Sequence, residues 1–201
     1  MKPLITVTRQ FGSGGRELGR RLAENLGIEY YDKEVITAIA ERTEMSEAYV
    51  KQIVESRSHN LYPITVGQTF SYADHVAINQ IMTVYTAQSE IIKELAAKSP
   101  CVIVGRCADY ILRDEKPFRL FVYASMESRV ARCLTRAEEA EKYDEEHMIK
   151  RIKKVDKERK RNYNYYTGQV WGDIRYYDLC VNTTGANIKS LAETFAGLFK
   201  Q

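Results

Sequence analysis

The stretch Leu4-Ile5-Thr6-Val7-Thr8-Arg9-Gln10-Phe11-Gly12-Ser13-Gly14-Gly15-Arg16-Glu17-Leu18-Gly19 decides how the rest of the chain is read. Leu4–Thr8 is a short run rich in β-branched residues, which predicts a strand. The glycine cluster Gly12-Ser13-Gly14-Gly15 ends it in a turn. Leu18, Leu22 and Leu26 then recur at intervals of four up to Gly27, the pattern of a helix closed by a glycine C-cap. Ile28–Tyr31 predicts a second short strand. Asp32 stands where an N-cap would start a helix carrying Val35, Ile36, Ile39 and Ala40.

Outward from this unit the same alternation continues. Ser46–Val54 predicts a short helix and Ser56–Asn60 a loop. Val76, Ile81, Val84, Gln88, Ile91, Ile92 and Leu95 mark a long helix ending before Pro100. Strands two and three are thus separated by a helical stretch of about 60 residues, longer than a simple crossover needs. Cys101–Val104, Leu120–Ala124 and Tyr177–Val181 are continuous runs of the kind buried on both faces of a parallel sheet. Ile188, Leu191, Ala192, Phe195, Ala196 and Phe199 form the apolar side of a closing helix. The expectation is an open α/β sheet of five strands with helices on both faces.

Composition sets the outer bounds. The 201 residues carry 30 Lys+Arg against 27 Asp+Glu, a net charge of +3, with 44% hydrophobic and 28% charged residues. That balance excludes a disordered or collagen-like chain and predicts one domain over 1–201. The longest apolar runs fall far short of the roughly 20 residues needed to cross a bilayer. Met1–Leu4 runs into Thr6 and Arg9 without an apolar signal core, so a cytoplasmic protein with no membrane partner is expected. Cys101, Cys107, Cys133 and Cys180 form no Cys-x-x-Cys pair, and His59, His75 and His147 lack ligand spacing. Disulfide frameworks, zinc sites and hydrolase triads are set aside, and no metal ligand set is assigned.

A glycine turn between a strand and a helix points backbone N–H groups at an anion, aided by the helix dipole. In the phosphate loop GxxxxGK[ST], aligning the last glycine on Gly15 puts Gln10 at the first glycine, Arg16 at the lysine and Glu17 at the hydroxyl residue. Arg16 still brings positive charge to a phosphate, whereas Glu17 cannot bind Mg²⁺ as a neutral hydroxyl does. Two other readings stay open. One is a tight turn with no ligand. The other is a dinucleotide fingerprint, begun by Gly12 and Gly14 and followed by Asp32 as a ribose-binding acid, although Glu17 occupies its third glycine.

The run Ile5–Gly19 quoted above, with Tyr31-Asp32-Lys33-Glu34, Val102-Ile103-Val104-Gly105-Arg106, Leu120-Phe121-Val122-Tyr123-Ala124-Ser125, Asp156-Lys157-Glu158-Arg159 and Tyr165-Tyr166-Thr167-Gly168, resembles the cytidylate kinase-like family, a branch of the P-loop nucleoside monophosphate kinases. The resemblance extends through Tyr177–Thr183 and spans nearly the whole chain. It implies a five-stranded parallel sheet of P-loop NTPase type, a helical acceptor-binding insertion over about 44–98 and a basic lid over about 137–170. It implies ATP as phosphoryl donor, Gly12, Ser13, Gly14, Gly15, Arg16 and Glu17 around its phosphates, and Asp32 and Arg106 at the acceptor. Cytidylate kinases end the third strand in Asp-Gly-Arg-Asp, whereas Val104-Gly105-Arg106-Cys107 keeps only the central pair. Mg²⁺ is then left to water and nucleotide phosphates, or is absent. The arginine that such kinases carry in the helix after strand two is replaced by Ala38, which leaves acceptor identity open.

Arg129, Arg132 and Arg136 fall at i, i+3 and i+7, one helical face just after strand four, near the carboxyl edge where open α/β sheets bind ligands. From Lys150 to Arg161 there are eight basic residues against two acidic ones. If that run is helical, Ile152, Val155 and Arg159 share a stripe with Asp156 beside it. Asp156 and Arg159 then face the body as lid residues, and Lys150, Lys153, Lys154, Lys157 and Arg161 face solvent. Arg16, Arg129, Arg132 and Arg159 are expected to be catalytic, since cations around the equatorial oxygens lower the barrier to phosphoryl transfer. The expected function is a small kinase moving the ATP γ-phosphoryl group to a nucleoside monophosphate or related small acceptor. The alternatives are a nucleotide-binding regulatory module without catalysis and, on the basic run with Tyr163, Tyr165, Tyr166 and Trp171, a nucleic-acid surface. Tyr62, Phe70, Tyr72, Tyr85 and Tyr110 are available to stack on an acceptor base or to pack the core.

Overall fold

The computed structural model describes residues 3–55, 72–136 and 144–199, apart from the side chains of 72–78. The Ser56–Asn60 loop, Tyr62, Phe70 and the side chains of Tyr72, His75 and Val76 lie outside that description. The element order is β1 (Leu4–Arg9), α1 (Gly15–Leu26), β2 (Glu29–Tyr31), α2 (Glu34–Thr43), α3 (Glu47–Glu55), α4 (Tyr72–Lys98), β3 (Cys101–Val104), α5 (Ala108–Ile111), β4 (Phe118–Tyr123), α6 (Met126–Arg136), α7 (Glu145–Thr167), β5 (Leu179–Asn182) and α8 (Ile188–Gly197), with two short 3₁₀ turns between.

The five strands are parallel in the order β2-β3-β1-β4-β5. The order reverses at β1, so a crevice opens beside its carboxyl end, where such sheets bind ligands. A dinucleotide fold sets the second strand beside the first; here the third is there, which removes that reading of Gly12, Gly14 and Asp32. The register Val7↔Val104 and Tyr31↔Ile103 brings the ends of β1, β2 and β3 level. Arg9, Asp32, Gly105 and Arg106 therefore converge on one edge.

Two cores cover the sheet. Leu18 and Leu22 of α1 are fully buried against Ile5, Val7, Val102 and Leu120, with Ala192 and Ala196 of α8 closing that face. Each such leucine contributes about 1.5–3 kcal/mol of burial. Val35 and Ile39 of α2, Val50 of α3 and Ile91 and Ile92 of α4 pack the other face against Cys101 and Ile103. A smaller cluster of Val130, Met148 and Ile152 with Phe11 ties α6 and α7 to the glycine loop.

One local expectation is corrected, and one short helix is added. The N-cap of α2 is Lys33, not Asp32, and it makes no side-chain cap bond. The Asp32 carboxylate is turned instead to Arg16 and Arg9, a stronger pull than a single N–H. The short α5 falls in a segment too brief to show helical periodicity, and a left-handed Cys107 at φ 55 precedes it. No helix among the described residues is long and apolar enough to cross a membrane.

Candidate functional site

The loop after β1 is held from outside. Every carbonyl from Arg9 to Ser13 accepts a hydrogen bond. Arg159 Nη1 donates to Arg9 O at 3.2 Å, the Ser13 hydroxyl to Gln10 O at 2.9 Å and Arg129 Nε to Phe11 O at 2.7 Å. Arg132 Nη1 donates to Gly12 O at 2.9 Å, and the Thr183 hydroxyl to Ser13 O at 2.6 Å. In a trans peptide the N–H points opposite to the C=O, so tying the Phe11 and Ser13 carbonyls outward turns the Gly12 and Gly14 N–H groups the other way. Both glycines line a cavity of about 470 Å³ with Gly15, Arg16, Arg132 and Arg159. The turn needs φ 77 at Gly12, where a Cβ would also lie 2.8 Å from Cys133 Sγ. Helix α1 begins at the same place. Its Leu18 N–H bonds to Gly14 O at 2.9 Å, leaving the leading N–H groups and the positive dipole end beside the cavity.

The expected arginines take different posts. Arg16 Nε lies 2.6 Å from Asp32 Oδ2, with the side chain half exposed at the cavity wall. Arg129 is buried, and beyond Phe11 O it pairs with Asp156. Asp156 in turn accepts the Phe11 N–H at 2.8 Å. Both polar groups of Phe11 are thus held by α6 and α7. Arg132 also donates to Thr183 O at 3.0 Å, bracing the loop against β5. Glu17, at the hydroxyl position of the phosphate-loop pattern, is bound by Arg21 at 2.8 Å and by Arg136. Burial alone would raise its pKa, but the hydrogen bonds from these two guanidinium groups hold it below the ordinary carboxylate value. On α7, Asp156 and Arg159 face inward, while Lys150, Lys153, Lys154, Lys157 and Arg161 are exposed. Glu138 and Glu139 lie outside the described residues.

A second cavity, of about 140 Å³, lies between the helical insertion and α7. Arg9 and Arg159 line both cavities. Sequence reasoning passed over Arg9; the available signal was a cation ending the strand that feeds a glycine loop. Its side chain is 12% exposed, with Nη2 3.6 Å from Asp32 Oδ1. Burial, and then the neighbouring Arg159, pull its pKa well below the arginine value, against the opposing effect of Asp32. Burial also lowers that of Arg159. Cations destabilised in this way gain most when an anion arrives. Arg106 is buried and already paired, its Nη2 2.8 Å from Glu55 Oε1. Burial pushes the Glu55 carboxyl up, and Arg106 more than offsets this, leaving it below its ordinary value. The sequence held no sign of that partner, which sits at the end of α3. Tyr85 stacks on Tyr166 at 4.1 Å, and Tyr110 lies under Arg113. The Tyr163 hydroxyl bonds to the buried Asp109 at 2.8 Å, so this ring is turned inward rather than offered to a base.

Gly105 lets Arg9 into this position: a Cβ there would lie 1.8 Å from Arg9 Nη1, at φ +76. Gly105→Ala is expected to destabilise the fold by about 1–3 kcal/mol through the left-handed backbone. Displacement of Arg9 by the methyl is also expected to lower more than tenfold the phosphoryl transfer that the family resemblance implies, an order-of-magnitude expectation for a misplaced charge. Calorimetric melting together with turnover checks both. Unchanged turnover would show that the Arg9 position does not matter.

The N–H groups and arginines at the loop suit an anion, and the carboxylates there do not fit a protein-built Mg²⁺ site. Glu17 and Asp32, the carboxylates at the loop, are each held by arginines, and no group of three potential ligands occurs among the described residues.

A parallel five-stranded sheet of this order, with helices on both faces and a glycine loop at the reversal point, is an open α/β fold of the P-loop NTPase type. The chain belongs to the cytidylate kinase-like family, whose model matches residues 4–185. No curated protein matches it. Among solved structures it is similar to an uncharacterized protein from Eubacterium ventriosum ATCC 27560, at 26% identity and a TM-score of 0.70, over 99% of each chain. It is also similar to the shikimate kinase of Bacteroides thetaiotaomicron, at 14% identity and a TM-score of 0.56, over 98% of each chain. The shikimate kinase of Acinetobacter baumannii, in complex with shikimate, is 16% identical with a TM-score of 0.51, over 98% of this chain and 92% of that one.

Proposed function

We propose that this protein transfers the γ-phosphoryl group of ATP, held in the loop cavity, to a small acceptor in the second cavity. Nucleoside monophosphates are the first candidates because of the family. The observation that carries the reading is that Arg9 and Arg159 line both cavities, so a donor in one and an acceptor in the other meet at the same two guanidinium groups. The Gly12, Gly14 and α1 N–H groups hold the donor phosphates. Arg16, Arg132 and Arg159 spread positive charge over the oxygens of the transferring group, where it lowers the barrier. Arg129 and Asp156 act as positioning residues by fixing the Phe11 peptide. A monophosphate acceptor needs no general base, because its attacking oxygen is already ionised near neutral pH. Mg²⁺ brought by the nucleotide phosphates would supply further charge neutralisation. Asp32 orients Arg9 and Arg16 at the acceptor side.

One feature favours a second reading, a nucleotide-binding regulatory module without catalysis. Every carboxylate at the loop is neutralised, and Glu55 occupies Arg106. The test is ATP turnover with Mg²⁺ on CMP, dCMP, UMP, AMP, GMP and shikimate, with Arg16→Ala as control and calorimetric binding of ATP in parallel. Turnover on one acceptor, lost in Arg16→Ala, is the expected result. Tight ATP binding without turnover supports the regulatory module, and neither binding nor turnover overturns both. A nucleic-acid surface would instead show affinity that falls steeply with salt and survives excess ATP.

A further inference from the structure

We propose that Glu55 is an internal anion that keeps Arg106 paired until the acceptor arrives, and that a phosphate monoester is the class of acceptor that displaces it. This role rests on the kinase reading and deepens it, because Glu55 then sets which anions reach Arg106. Glu55 Oε1 lies 2.8 Å from Arg106 Nη2, and both residues line the second cavity.

The two partners are anchored unequally. Gly105, Arg106 and Cys107 are three successive left-handed residues, at φ 76, 59 and 55. That conformation costs free energy at each non-glycine position, so the surroundings must impose it. They do so at every carbonyl of the turn. The Ala108 N–H donates to Gly105 O at 3.0 Å, Gln88 Nε2 to Arg106 O at 3.0 Å and the Ile111 N–H to Cys107 O at 2.9 Å. The Gly105 N–H donates to Val7 O at 3.0 Å, tying the turn to β1. The Arg106 side chain is 6% exposed, and a guanidinium so placed needs an anion beside it. Glu55, by contrast, is the last residue of α3, with its side chain 41% exposed. A carboxylate at that end of a helix faces the negative pole of the dipole, so α3 gains nothing from it. Arg106 is thus the fixed partner and Glu55 the one that can leave.

Charge decides what replaces it. Arg106 shares one field with Arg159 and Arg9: after burial, Arg159 and then Arg106 are the cations that most depress the Arg9 pKa. Desolvated cations that repel one another gain from added negative charge. A phosphate monoester is largely dianionic at neutral pH, so exchanging it for Glu55 adds one negative charge to the cluster. A monocarboxylate exchanges one charge for one, with no such gain. An uncharged hydroxyl leaves Glu55 in place.

The test loads the full chain with a non-hydrolysable ATP analogue and titrates CMP, UMP, AMP and GMP, their nucleosides and shikimate by calorimetry. The parent protein should bind one monophosphate at least about tenfold more tightly than shikimate, which carries a single carboxylate. Glu55→Gln, with Glu55→Ala as a second substitution, should bind that monophosphate about tenfold more tightly still, a gain between the scales of exposed and buried ion pairs. The matching nucleoside should gain nothing, and the affinity for the analogue should be unchanged. Lost packing at the end of α3 would weaken binding, so a gain confined to the phosphate separates competition from a structural role. Equal or weaker monophosphate binding in the variants, or an equal gain for the nucleoside, overturns the role of Glu55. Shikimate binding the parent protein as tightly as the best monophosphate also overturns it, and that comparison decides the matter if neither variant folds. No monophosphate binding at all does the same, while analogue binding keeps the kinase reading. Loss of analogue binding in the parent protein overturns both.

Discussion

Arg9→Met is expected to lower kcat for phosphoryl transfer by about 10³-fold or more, the scale of an arginine that stabilises a transferring phosphoryl group. Arg9 reaches both cavities from the end of β1, and its guanidinium is pinned between Asp32 and the bare backbone of Gly105. A cation already fixed needs no reorganisation as charge develops, which makes it worth more in the transition state than a mobile one. The loss should therefore fall on kcat, with the ATP KM changed less, and Arg9→Lys should restore only part of it because one ammonium cannot replace a planar fork. Steady-state kinetics on the acceptor found in the panel, with melting curves to verify folding, gives the answer. A change confined to KM would reduce Arg9 to a binding residue.

Arg129→Met is expected to cost stability before it costs chemistry, by about 3 kcal/mol, near the lower end for breaking a buried ion pair. The side chain is 5% exposed and holds both Phe11 O and Asp156. Its removal leaves a mostly buried carboxylate with, among the described residues, the Phe11 N–H at 2.8 Å and Arg159 at 3.9 Å. For a chain of this size the melting temperature should drop by roughly 6–12 °C. Arg129→Met combined with Asp156→Asn should lose less than the single variant, since removing both charges together leaves none stranded. A single variant melting like the parent protein would contradict the buried-pair account.

The two substitutions mark how far local pattern reaches. Spacing put Arg129, Arg132 and Arg136 on one helical face, and α6 carries them there. Spacing did not say that the first would be buried under the loop, the second would brace Gly12 and Thr183, and the third would take Glu17. The stripe on α7 was legible because 3.6-residue periodicity separates Asp156 and Arg159 from the exposed lysines. Asp32 was misread as a cap because its partners, Arg9 and Arg16, lie in chain segments that local pattern does not connect to it.

The sequence by itself determined the alternation of strands and helices, the glycine loop and the inward face of the basic helix. Each of these depends on residues within one or two turns of each other, where periodicity and allowed φ values decide the outcome. Tertiary structure alone decided the strand order and everything that follows from it. Setting β3 beside β1, in the register Val7↔Val104, carries Gly105 under Arg9 and Arg106 toward Glu55. The same packing brings Gln88 and Asn162, from two different helices, to the wall of one cavity. Those neighbours lie far apart along the chain, and no local rule couples them until the sheet and its helices bury their apolar faces together.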